Sequence, residues 1–193
     1  MTGMKDHPWP RASIPTPVLV GIGFGIGGTI QCLFLLPWRI GPSVIGMGVV
    51  GAIGGAFLAY GSTPRRSLLR GAISYSLGFM LGGFVSLGSL IGYLEGEISL
   101  PFHDFYLLFI LGFCIAGATG AALAGPPLPV RMSAICFLVG GAVGGAAIAI
   151  LSGSPMERRY IAAIGLLISE VVGGVASARA LEFSDSSIDE GSS

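Results

Sequence analysis

Asparagine is absent from the 193-residue chain, and charge is scarce. Without asparagine there is no N-glycosylation acceptor. Charged residues make up 10% of the chain, against about a quarter in a soluble domain. That is too little to clothe a water-facing surface. The formal net charge is zero and no basic stripe occurs, so nucleic acid is excluded as a partner. His7 lies in an N-terminal arm and His103 in a loop. The three cysteines, Cys32, Cys114 and Cys136, have no metal-ligand spacing and read as small buried packers. There is no nucleophile elbow, metal-binding helix motif or P-loop. No catalytic residue, resident metal or cofactor is expected, and the chain reads as a non-enzyme.

What remains is apolar. The hydrophobic fraction is 52% and the mean hydropathy +0.83. Six apolar runs reach the length of about 20 residues that a membrane span needs: 18–38, 43–61, 68–93, 105–125, 130–151 and 160–181. The expected fold is an all-α integral membrane bundle of about six helices. A polar, proline-rich arm precedes it (residues 1–17), and a Ser-rich acidic tail (182–193) is expected to be disordered. Turns fall where proline or glycine clusters: Pro37 and Pro42 around Arg39, Gly61 to Pro64, Glu95-Gly96-Glu97, Gly125 to Pro129, and Ser152 to Pro155. Trp38, Tyr60, Tyr93, Phe102, Tyr106 and Tyr160 mark span ends, as interfacial aromatics do. His103-Asp104 with Glu95 and Glu97 forms an acidic loop better suited to capping a helix than to holding a cation. The first span is expected to serve as its own targeting signal.

Glycine is the other abundance: 33 residues, about twice the ordinary share, and they lie inside the apolar runs. Small residues four apart share a helix face and let backbones approach in lipid, where packing is the main force available. Such pairs recur in every run, including Gly21/Gly25, Gly51/Gly55, Gly78/Gly82, Gly88/Gly92, Gly140/Gly144, Gly141/Gly145 and Gly165/Ser169. Gly54, Gly55, Gly144 and Gly145 are expected at helix contacts. Gly23 to Gly28 spells GxGxxG, but inside a span, without the strand and acidic residue a dinucleotide site requires.

Two further patterns concern the whole chain. Val50 to Ala56 echoes Val139 to Ala146, and Gly23 to Gly28 echoes Gly112 to Gly117, at an offset near 90. Equivalent points three helices apart predict two inverted halves, an arrangement common in transporters. With the N-terminus inside, the cytoplasmic side carries Lys5, Arg11, Arg65, Arg66, Arg70, Arg131 and Arg179, against Arg39, Arg158 and Arg159 outside. Cationic residues favour the cytoplasm, so both termini are expected there, with the protein in the cell membrane.

The spans hold few strongly polar side chains. Glu170 falls near the middle of the sixth run and Gln31 in the first. A charged residue at that depth costs about 2.5–3.5 kcal/mol on insertion scales and usually faces the bundle interior. Ser74, Tyr75, Ser86 and Thr119, with Gln31, are its candidate partners. Glu170 then reads either as helix glue, hydrogen-bonded to one of these, or as a proton or cation site. Two functions follow: a non-catalytic packing or assembly subunit, joined to other membrane subunits or to itself, and a small channel or transporter for a proton, small ion or apolar solute. The many small-residue seams tilt this reading to the first.

Overall fold

Prolines set several of the helix starts. The computed structural model describes residues 14–35, 39–61, 68–95, 101–125 and 129–190. Among the described residues there are six helices: α1 (Thr16–Leu35), α2 (Ile40–Gly61), α3 (Leu68–Glu95), α4 (Phe102–Ala124), α5 (Val130–Leu151) and α6 (Arg158–Glu190). Pro101 and Pro129 stand just before α4 and α5, where a missing amide proton costs nothing. Pro42 was expected in a turn. It lies in the first turn of α2 instead, for the same reason. α4 ends on Gly125, whose φ of 73° suits a residue without Cβ; its amide donates to Ala121 O at 2.8 Å. Trp38, Glu97, the Arg65-Arg66 pair and most of the N-terminal arm lie outside the described residues.

The C-terminal segment departs from expectation. Residues 182–190, read as the start of a disordered tail, continue α6. Extending an existing helix avoids the cost of a new nucleus, and Arg179 pairs with Glu182 at 3.1 Å across one turn. Every helix is long and apolar enough to span a membrane, and that stretch of α6 ends at Phe183.

Each helix packs on its neighbours in sequence, and α6 closes back on α1. Neighbours are antiparallel: Gly23 meets Phe57 while Gly27 meets Val50, and Gly21 meets Val175 while Gly25 meets Val171. The result is an up-down ring of six, with Thr16 of α1 and the C-terminal end of α6 at one end. Large apolar side chains remain exposed on α1 to α5, among them Ile22, Ile45, Leu77, Leu107 and Ile135. A lipid-facing surface permits this, because hydrocarbon is no worse a solvent for them than the interior. α6 has the largest buried share of its apolar window.

Phenylalanine fills the centre. Phe24, Phe79 and Phe137, one from each odd-numbered helix, meet with ring centroids 5.2–5.6 Å apart. Each is followed three residues later, on its own helix, by a glycine that packs against the partner helix of its hairpin. A Cβ at Gly27 would stand 2.8 Å from Val50 Cα, one at Gly82 2.7 Å from Ala116 N, and one at Gly140 2.8 Å from Gly173 N. The Phe-x-x-Gly element is therefore shared by three successive hairpins around the centre.

That arrangement counts against the inverted three-helix repeat. A twofold axis in the membrane plane that laid α1 on α4 would reverse the sense in which the chain travels round the ring. The image of α2 would then land on α3 rather than α5. In a sequential up-down ring, halves of three helices have opposite hands, and no rotation superposes them. The sequence echo reflects a shared need for glycine at close helix contacts.

Candidate intramembrane acid site

Along α6 the residues Ala162, Leu166, Glu170 and Ser177 are all buried. They stand four or seven apart, so they share a face, and the ring turns that face inward. On α1 the buried residues Val20, Phe24 and Gln31 form the matching inward stripe. Glu170 has no exposed surface at all, and Gln31 has 1%. Glu170 lies against α1 at Gly28, where an added Cβ would stand 2.5 Å from its Oε2 and 2.6 Å from Leu167 Cδ1. Any side chain there would push the carboxyl and Leu167 out of their present positions. On the next turn of α1, Cys32 Sγ donates to Gly28 O at 3.3 Å.

The site is short of donors. Neither oxygen of Glu170 has a hydrogen-bond partner among the described residues, and neither does Gln31 Oε1. The amide nitrogen of Gln31 is already engaged, donating to Met47 Sδ at 2.9 Å. Buried polar atoms are bonded in the great majority of native structures. Leaving one unpaired costs about 1–3 kcal/mol, and more if it is charged.

The candidate partners lie elsewhere. Tyr75 Oη is 3.3 Å from Ser133 Oγ, and Ser133 in turn donates to Gly117 O at 2.9 Å. Ser86 Oγ donates to Gly82 O on its own helix at 3.2 Å. Ser74 is buried on α3 and Thr119 half-buried on α4. Helices α3 and α4 pack on each other, across the ring from Glu170. Tyr75 and Ser133 each sit one turn from the central phenylalanines towards the end that holds Thr16. Glu170 sits one turn from Gly174, which meets Phe24, towards the other end. The aromatic cluster thus stands between the acid and the Tyr75–Ser133 pair, whereas the buried Ser86 and Ser89 lie beyond Phe79 on the acid's side. Ser133 and Ser177 are buried without having been singled out, because small residues of this kind give no sequence signal against a background of Ser, Gly and Ala.

Beyond Glu170 the opposite end of the ring holds a cavity of about 410 Å³, lined in part by Tyr93, Ser152, Ser154, Arg158 and Ile161. Ala162 and Leu166 separate it from the acid along α6. His103 and Asp104 pair at 2.9 Å in the first turn of α4, well exposed. Among the described residues no group of three or more His, Cys, Asp or Glu could hold a metal ion.

The glycine positions resolve individually. A Cβ at Gly55 would stand 2.5 Å from Gly71 O, and Gly51 faces Tyr75 O. Gly140 and Gly144 face the α6 backbone, Gly54 the Phe24 ring, Gly141 Phe113 and Gly145 Tyr106. Gly88 and Gly92 have nothing within 4 Å, so the pair expected to form a seam in α3 does not lie in one.

The fold and this site define a multi-pass membrane protein, a ring of six spanning-length helices around an aromatic centre and a buried acid. No protein-family profile, curated protein or solved structure matches the chain.

Proposed function

We propose that the protein is a small, non-catalytic membrane carrier in which Glu170 takes up a proton or small cation inside the bundle. The observation behind this reading is the pair of unpartnered carboxyl oxygens on a fully buried residue. Helix glue requires a hydrogen bond to a neighbouring helix, and Glu170 makes none among the described residues. An ionised carboxylate there is costly. A bound proton or cation cancels its charge, so occupancy of the site is tied to the stability of the closed ring. The cavity at the far end offers an aqueous approach, and the phenylalanine cluster closes the other side. We place the protein in the cell membrane with both termini cytoplasmic, following the bias of arginine and lysine.

The test is ion flux in proteoliposomes with an entrapped pH indicator and a potassium diffusion potential. The wild-type chain should move charge, and Glu170→Gln should stop it while leaving helicity and thermal stability in detergent unchanged. Equal flux in wild type and variant overturns the reading, and so does the absence of flux of protons, sodium and potassium in the wild type. A second reading, a packing or assembly subunit bound to itself or to other membrane proteins, draws support from the aromatic-filled centre and the glycine contacts. It predicts no flux and a stable complex in mild detergent.

A further inference from the structure

Glu170 is not the only buried group left without a partner. Gln31 Oε1 is the third orphan oxygen in the same interior, and its position relative to the acid points to one ligand. Glu170 presses on α1 at Gly28. Gln31 stands three residues further along α1, and residues three apart have Cβ atoms about 5–6 Å from each other on a helix. Both side chains face inward and both are buried. The amide orientation is held from the far side, since Gln31 Nε2 donates to Met47 Sδ at 2.9 Å. That contact uses one of the two N–H groups on a weak acceptor, while the oxygen has no partner among the described residues.

No hydrogen bond reaches any of these three oxygens among the described residues. A proton turns one carboxyl oxygen into a donor that can serve the amide oxygen, but it leaves the other carboxyl oxygen without a partner. A dehydrated hard cation satisfies all three, since such ions take oxygen ligands from carboxylates and amide carbonyls together. One negative charge matches one positive charge, so a monovalent ion leaves the buried site neutral. We propose that Glu170 and Gln31 together bind a monovalent metal cation of the sodium type, with Gln31 as the second ligand. This rests on the reading of Glu170 as the uptake site and specifies its occupant.

A hydrophobic carbodiimide tests it on the full-length protein in detergent, because it reacts with a protonated buried carboxyl and not with one paired to a cation. Mass spectrometry of the labelled chain reads the modification at Glu170. Sodium chloride should slow labelling of the wild type, and potassium chloride should do so less. Gln31→Met, close in shape but without the amide oxygen, should still be labelled at Glu170 but need at least about tenfold more sodium for the same protection. Wild-type labelling indifferent to sodium, lithium and potassium overturns the proposal without any variant. If Glu170-dependent proton flux persists in that case, the carrier reading survives and only the metal occupant fails. If Glu170→Gln also leaves flux untouched, both fail. Protection that survives in Gln31→Met removes Gln31 from the site.

Discussion

At Glu170 stability and function pull in opposite directions, and the conflict can be measured. A carboxyl with two unpartnered oxygens contributes packing but carries an unrelieved desolvation cost. Replacing such a group by an apolar side chain of similar shape is often neutral or stabilising, by about 1–4 kcal/mol for buried ionic groups. Glu170→Met should therefore raise the midpoint of thermal unfolding in detergent in sodium-free buffer while eliminating flux. A lowered midpoint would mean that the carboxyl holds the helices together, which is the glue role. The residue itself was legible in the sequence, because an acid in a long apolar run stands out. Its lack of a partner was not, since the choice between Gln31, Ser74, Tyr75, Ser86 and Thr119 depends on how the helices are ordered in space.

For the helices, glycine spacing alone does not identify a contact. Gly51/Gly55 and Gly88/Gly92 share the same four-residue spacing, yet one pair meets the backbone of α3 and the other meets nothing. Gly55→Ala would drive a Cβ onto Gly71 O, which is backbone and cannot swing aside. It should destabilise the bundle by about 1–3 kcal/mol, as overpacking does. Gly88→Ala meets open space and removes conformational freedom from the unfolded chain, so it should be neutral or stabilising by about 0.4–1 kcal/mol. Denaturation in mixed micelles, followed by circular dichroism, compares the two. Equal effects would mean that helix propensity outweighs packing here. The same logic accounts for the sequence echo without a repeat: the Gly-Gly stretches of α2 and α5 each seat a neighbouring helix.

Across the whole molecule, the ring makes a prediction about sidedness. Six antiparallel helices leave Glu157 at the end opposite Phe183, with Glu157 exposed and Phe183 at the end of the last span. Single cysteines at 157 and 183, in a background with the three native cysteines replaced, should react with an impermeant maleimide from opposite sides of intact cells. If the termini are cytoplasmic, only position 157 reacts before the cells are opened. Reaction of both positions from one side would refute the six-span ring, and the reverse pattern would refute the orientation.

The sequence by itself determined that the chain crosses a membrane about six times, where the crossings lie, and which residue is out of place within them. Those features are one-dimensional. Span length follows from bilayer thickness and helix rise, and the cost of a buried acid follows from the solvent around it. The tertiary structure decided the rest: the closure of α6 on α1, the meeting of Phe24, Phe79 and Phe137, and the burial of Glu170 against Gly28 with no hydrogen-bond partner among the described residues. In lipid every face of an apolar helix is equally soluble, so hydropathy does not say which face turns inward. Only the packing of particular glycines against particular backbones, pair by pair around the ring, makes that choice.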